Sequence, residues 1–407
     1  MTIAQNPLIF ESISTRFLVQ DFAVIMMVAA VMLLITYKLK QPMVIGYLIA
    51  GMIIGPHIPP FGLIHDVNVL NSLAELGIIM LMFVIGTEFP IAKLRSVGKI
   101  SVITALSESL VTLTIIFVVC QNFGFSFADS IFLALAMSIT STVITVKVLE
   151  ELGLMKKTSS KIVLGMLIVE DVFAVSALGV LQSVGKMAAI SPFPILISLA
   201  IVSGFIGSIL ILGSKFLPKV IDRMARTNDY AILLITILGL AFGLSFAGSQ
   251  LGLSVVIGAF LAGVLVAESN CAPIARVVTV PIRDVFAALF FVSVGALMDI
   301  SEIPQFIVPA IILIVTSFAT KTLVTYILLT KLAHDGTVSI RTGLQIASAK
   351  GEMSLVVIKG GQDIGVLSSF VFPIMGVVTI VTTFMTPYIF RLSSRIKLTS
   401  NDEERSL

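Results

Sequence analysis

Long apolar stretches alternate along this chain with short segments that hold most of its charged residues. A stretch of roughly 17–25 residues crosses the hydrocarbon layer of a bilayer as a helix. Stretches of this kind fall near 17–37, 42–56, 69–87, 99–122, 126–149, 159–184, 191–217, 229–248, 251–267, 278–298, 303–329, 338–358 and 366–389. They predict an all-α polytopic fold with about thirteen membrane helices over residues 1–398, and a short polar tail at 399–407. The second and ninth stretches are short, and the tenth carries Arg283 and Asp284 near its start, so these three have the least sharply defined ends.

Composition excludes an ordinary soluble protein. Of 407 residues 57% are hydrophobic and only 12% charged, where a soluble domain has roughly a quarter charged. Basic residues gather in alternate loops: Lys38 and Lys40; Lys93, Arg95 and Lys99; Lys147, Lys156, Lys157 and Lys161; Lys215, Lys219, Arg223 and Arg226; Arg276 and Arg283; Lys331 and Arg341; and Arg391, Arg395, Lys397 and Arg405. Since such residues collect on the cytoplasmic side, the pattern predicts a plasma-membrane protein with its N-terminus outside and its C-terminus in the cytoplasm. The net charge of +3 reflects that bias and implies no nucleic-acid partner. Cys120 and Cys271 fall on opposite sides of the predicted bilayer and are not expected to pair. His57, His65 and His334 lie in loops, and no cluster has transition-metal spacing. The Pro-containing leader has no small-residue cleavage site, so the first stretch reads as a retained helix.

The chain also repeats itself. Val44-Ile45-Gly46-Tyr47-Leu48-Ile49-Ala50-Gly51 matches Val256-Ile257-Gly258-Ala259-Phe260-Leu261-Ala262-Gly263 at five of eight positions, and each is followed one span later by a Phe-Val run ending in glycine, at Gly86 and Gly295. The expected repeats are 17–184 and 229–390, joined by a connector helix at 191–217. An offset of seven spans inserts the copies in opposite senses, as in secondary transporters that bind substrate at the midplane between interrupted helices. Corresponding spans carry the expected interruptions, Met137-Ser138-Ile139-Thr140-Ser141-Thr142 and Ser348-Ala349-Lys350-Gly351-Glu352-Met353-Ser354.

Charges inside apolar spans are costly and default to ion or proton pathways. Adjacent Glu170 and Asp171 lie mid-span in the sixth stretch. They point about 100° apart on a helix, so one can line a cavity while the other faces a neighbour. A carboxylate binds a hard monovalent cation or takes a proton instead, and that competition is an exchange mechanism. Thr140 and Ser141 are candidate oxygen donors beside them. Lys321 is expected to pair with one of the two carboxylates, and Lys350 and Glu352 to neutralise the free ends of the interrupted helices. Glu108, Ser138 and Thr142 are candidates for a polar path. No nucleophile-base set or phosphate-binding glycine loop supports an enzyme.

Four segments in order, Gly46–Pro56 (GYLIAGMIIGP), VEDVFAV around Glu170, Leu289–Asp299 (LFFVSVGALMD) and Ala349–Leu355 (AKGEMSL), resemble the second monovalent cation:proton antiporter family, which includes NapA-type sodium/proton exchangers and Kef-type potassium efflux systems. The resemblance covers Phe17 to Phe390. It implies a NapA-like fold, a dimerisation domain with a core domain that moves against it like an elevator, and a homodimer in the lipid bilayer. It also implies no cofactor beyond the transported Na+ or K+ and protons. By motif match Asp171 corresponds to the cation-binding aspartate, Glu170 to the residue before it and Lys321 to the pairing lysine. Glu-Asp departs from both the Asp-Asp of the sodium exchangers and the Gln-Asp of Kef systems; two titratable groups bring it closer to the former. Kef-type chains continue into a cytoplasmic nucleotide-binding domain, whereas this one stops soon after Lys397, so the expectation is either a regulatory domain or subunit outside this chain or a truncated chain. A potassium efflux system, a channel-like cation pathway and a sodium-coupled organic anion symporter are the alternatives.

Overall fold

The computed structural model of the chain describes residues 7–39, 41–56, 63–64, 67–87, 98–185, 204, 207, 209, 213–227, 229–250, 255–298, 303–333 and 336–396. Its helices are α1 (Pro7–Lys38), α2 (Met43–Ile54), α3 (Val67–Thr87), α4 (Lys99–Asn122), α5 (Phe127–Ser138), α6 (Thr142–Glu151), α7 (Thr158–Gly185), α8 (Ser214–Ala225), α9 (Tyr230–Gln250), α10 (Val255–Ala267), α11 (Ala272–Ala296), α12 (Ile303–Ala333), α13 (Gly336–Ile346), α14 (Glu352–Asp363) and α15 (Val371–Arg395). Among the described residues nine helical stretches are long and apolar enough to cross a membrane, with α5 and α6 taken together, and α2 and α10 are shorter apolar helices. The expected connector at 191–217 lies mostly outside the described residues, as do His57, His65, His334 and the tail at 399–407.

Observed ends differ from the predicted ones where helix chemistry outruns hydropathy. α4 covers 99–122 as the apolar pattern does, but α11 begins at Ala272, six residues before the apolar run, with Pro273 in its first turn. Proline is favoured there because that N–H has no intrahelical partner. Arg276 therefore stands on α11 and not in a loop, and reaches the carbonyl of Thr87 at the end of α3; Arg283, near the start of the apolar run, bonds its neighbour Asp284 at 2.7 Å.

The helices sort into two packed groups. α1–α3 pack with α8–α11, and α4–α7 pack with α12–α15, while contacts between the groups are sparse. In the first group α2 crosses α11 and α10 crosses α3 with backbones in contact. A Cβ on Gly51 would stand 2.0 Å from the carbonyl oxygen of Val292, and a Cβ on Gly263 would stand 2.0 Å from that of Phe83. Without a hydrophobic drive between helices in lipid, close van der Waals approach through small residues is what holds such crossings. Gly51 and Gly263 are the terminal glycines of the two matched octapeptides.

Candidate functional site

α5 stops at Ser138 because Ile139 turns extended (φ −101°, ψ 148°), and α6 restarts at Thr142 with the Ser141 hydroxyl accepting from the N–H of Ile144. α13 ends at Ile346 and α14 begins at Glu352. The two non-helical stretches, 139–141 and 347–351, lie against each other. Ser141 N–H donates to the Ala349 carbonyl at 2.9 Å, and Thr140 Oγ1 donates to the Ile346 carbonyl at 2.6 Å. A Cβ on Gly351 would come within 2.4 Å of Ser141 Oγ, so only glycine fits at this contact.

Ending helices inside an apolar bundle strands backbone groups that water would otherwise satisfy. Side chains satisfy them here. At the C-terminal end of α5, Ser354 Oγ donates to the Ala136 carbonyl at 2.7 Å and Ser317 Oγ to that of Met137 at 2.9 Å. Lys350 Nζ donates to the carbonyls of Met137 (2.5 Å) and Ile139 (3.0 Å), and Lys321 Nζ to that of Ser138 at 2.6 Å. The N-terminal end of α6 meets a carboxylate: Glu352 Oε2 accepts from Ser141 Oγ at 2.8 Å and Oε1 from Val143 N–H at 3.4 Å. Lysine side chains thus stand at the negative end of one half-helix and a glutamate side chain at the positive end of the other.

α7 carries the carboxylate pair into this crossing. Glu170 faces α4 and α12: its Oε1 lies 3.3 Å from Lys321 Nζ, and its Oε2 accepts from Thr140 N–H at 2.8 Å. Asp171 faces α6, where Thr142 Oγ1 donates to its Oδ2 at 2.8 Å. Glu108 of α4 joins the group, with Oε1 2.8 Å from Lys321 Nζ. Glu108, Glu170 and Lys321 are all fully buried, and Asp171 is 1% exposed. Away from these residues, a cavity of about 400 Å³ is lined by Leu33, Leu34, Tyr37, Gln41, Met43 and Lys147. It lies between the ends of α1 and α2 and the α6 helix that starts at Thr142. At the opposite end of the molecule Lys359 Nζ of α14 reaches Asn71 Oδ1 of α3 at 2.9 Å, and Met298 packs on Gly376 of α15.

All the residues singled out from the sequence meet at this crossing, but with different partners from those expected in part. Lys321 contacts Glu170 at 3.3 Å, yet its shorter ion pair, at 2.8 Å, is with Glu108, for which a polar path and a structural bond were equally open from the sequence. The Ser141 hydroxyl, expected as an ion ligand, bonds Glu352 and caps α6. Ser138 turns its hydroxyl onto the Leu135 carbonyl of its own helix, and the Thr140 hydroxyl is spent on Ile346. Thr142 is the hydroxyl that meets Asp171. Ser317 and Thr382, whose Oγ1 accepts from Lys350 N–H at 3.1 Å, were not singled out, and Ser354 was marked only as part of the interruption. Lone Ser and Thr residues are common in membrane helices, and nothing in their spacing marks a partner.

Residues 24–392 match the family profile described as "Sodium/hydrogen exchanger, transmembrane". The Na(+)/H(+)-K(+) antiporter GerN of Bacillus cereus is 27% identical over 354 residues, covering 87% of this chain and 90% of GerN. K(+) efflux antiporter 5 of Arabidopsis thaliana is 26% identical over 387 residues, covering 92% of this chain and 66% of that longer protein. Among solved structures, the sodium proton antiporter MjNhaP1 from Methanocaldococcus jannaschii shares the fold at a TM-score of 0.71 and 16% identity, over 94% of this chain and 99% of the other.

Proposed function

We propose that this chain, which belongs to the sodium/hydrogen exchanger family, is a secondary active antiporter that exchanges a monovalent cation for protons at Asp171. The family is one of transporters, not of enzymes. One observation carries the reading: Asp171 stands at the start of α6, held by Thr142 Oγ1, while the neighbouring Glu170 is turned away to Lys321. A buried carboxylate at an interrupted helix is suited to swap a dehydrated cation for a proton, and its neighbour's ion pair supplies a second titratable group.

The wider architecture follows the same reading. Thirteen spans arranged as inverted repeats, 17–184 and 229–390, are supported by the exchanged crossings at Gly51–Val292 and Gly263–Phe83. The two half-helix pairs α5–α6 and α13–α14 are the crossing helices. The sparse contacts between the two packed groups support an elevator-like motion of α4–α7 and α12–α15 against α1–α3 and α8–α11. The cavity on the side of Lys147, with Lys359 and Asn71 joined at the far end, fits a cytoplasm-facing state, with the N-terminus outside, in a plasma-membrane homodimer. The relatives are named for sodium and for potassium; Glu-Asp keeps two titratable carboxylates and favours sodium.

Cation-driven proton flux in proteoliposomes, measured with sodium and then potassium and with and without an imposed potential, tests the reading. A response to one ion names the cation, and acceleration by the potential makes the exchange electrogenic. Flux that needs no counter-moving proton would replace an exchanger by a channel.

A further inference from the structure

Ala30, Leu33, Leu34 and Tyr37 recur on one face of α1 and form a wall of the cavity of about 400 Å³, which Gln41, Met43 and Lys147 of α6 complete. Its volume lies within the range of about 300–1,000 Å³ usual for ligand sites. From Ala30 to Tyr37 the wall runs roughly 10 Å along the helix axis. Tyr37 is 80% exposed, beside Lys38 at the end of a helix that crosses the membrane, and aromatic residues in that position mark the headgroup level. Ala30, Leu33 and Leu34 therefore stand at acyl-chain depth. Two polar groups at the headgroup end lack the partners their chemistry calls for. The Gln41 side-chain carbonyl oxygen is buried and accepts no hydrogen bond among the described residues, which is a costly arrangement. Lys147 is half-buried, and no ion pair among the described residues includes it. Glu151, one turn further along α6, lines a smaller hollow with Lys147, Gln41 and Pro387, yet it does not pair with that lysine.

We propose that this cavity binds one anionic phospholipid of the cytoplasmic leaflet, of the phosphatidylglycerol kind. Lys147 takes the phosphate, a headgroup hydroxyl donates to the Gln41 carbonyl oxygen, and the upper part of an acyl chain lies along Ala30, Leu33 and Leu34. The headgroup follows from the two polar groups: phosphocholine would bring a second cation to Lys147 and neither an O–H nor an N–H to Gln41. The source follows from the wall. Leu34 is 63% exposed, so the apolar face continues into the outer surface of α1, and a chain enters sideways from the bilayer. The walls belong to both packed groups, α1 and α2 to one and α6 to the other. A lipid seated between them therefore favours the arrangement described over one in which those groups have shifted, by as much as it binds the two differently. The leaflet rests on the orientation of the basic loops and the shift on the antiporter reading, whereas binding depends on neither.

The chain has no tryptophan, so a single introduced one reports its own surroundings. Full-length Leu34→Trp is reconstituted in equimolar phosphatidylglycerol and phosphatidylcholine, with brominated acyl chains carried by one lipid and then by the other. The ratio of the two quenching amplitudes is expected to favour phosphatidylglycerol about fivefold, the preference one basic residue near the membrane surface supplies. Lys147→Gln added to Leu34→Trp should bring the ratio close to one, Lys147→Arg should keep it, and Gln41→Leu should lower it in part. Leu323→Trp, at a position 58% exposed on α12, should show no preference. Equal quenching by both lipids at Leu34→Trp, a preference that survives Lys147→Gln, or the same preference at Leu323→Trp would overturn the proposal. So would a tryptophan in Leu34→Trp that neither lipid reaches, because a second copy of the chain would then cover this face. Should Leu34→Trp not fold, Tyr37→Trp gives the same readout from the same wall. A wild type that moves no protons with either cation would sink the antiporter reading and leave the quenching result standing.

Discussion

Asp171 and Glu170 face different neighbours because a helix turns by about 100° per residue. On α7 that angle sends one carboxylate to Thr142 on α6 and the other to Lys321 on α12. The same scale sets what Lys350 contributes. Its amino group donates to the Ile139 carbonyl, whereas the Met137 carbonyl it also meets keeps Ser317. Lys350→Met should therefore cost about 1–3 kcal/mol, the penalty for one buried acceptor left unmade, and Ser317→Ala less. Chemical unfolding in mixed micelles gives both values, and equal losses would contradict the assignment. Glu170, Asp171 and Lys321 were legible in the sequence because mid-span charges are scarce. Glu108 was the harder case, although it and Lys321 are the lone mid-span charges of the fourth and eleventh spans, which correspond in the repeat. What could not be read was which way a hydroxyl points: Ser141 and Thr142 look alike as letters, but the N-cap geometry of α6 commits one to Glu352 and leaves the other facing Asp171.

At the scale of elements, two kinds of feature do the positioning. Glycines let backbones touch where α2 meets α11 and α10 meets α3, so Gly51→Val or Gly263→Val forces those helices apart. Each is expected to destabilise by about 2 kcal/mol or more and to lower the yield of folded protein, while Gly239→Val, with nothing within 4 Å of its Cβ, should be tolerated. A melting midpoint for Gly51→Val within error of wild type would contradict the close crossing. The interruptions are the second feature. The polar, β-branched Met137–Thr142 cluster and the Ser348–Ser354 cluster stand where α5 gives way to α6 and α13 to α14, so local composition marked their places. Hydropathy alone could not fix the start of α11, since six residues with Pro273 and Arg276 belong to a helix that continues beyond its apolar part.

For the whole molecule, the proposed cytoplasm-facing state would open the site from one side only. Val143 is 45% exposed on α6, next to Thr142 and on the same helix as the cavity-lining Lys147. In a background with Cys120 and Cys271 replaced by alanine, Val143→Cys should react with a membrane-impermeant thiol reagent much faster from the cytoplasmic face than from the outside, by about tenfold or more, a difference of roughly 1.4 kcal/mol in access. Faster labelling from outside would reverse the orientation drawn from the basic loops. The most direct measurement is proton movement driven by sodium or potassium in proteoliposomes, with wild type and Asp171→Asn side by side. Coupled flux is expected in the wild type and none above protein-free liposomes in Asp171→Asn, with both proteins folded and inserted. Wild-type flux from Asp171→Asn would contradict it, because exchange would then proceed without the carboxylate on which the cation and the proton compete.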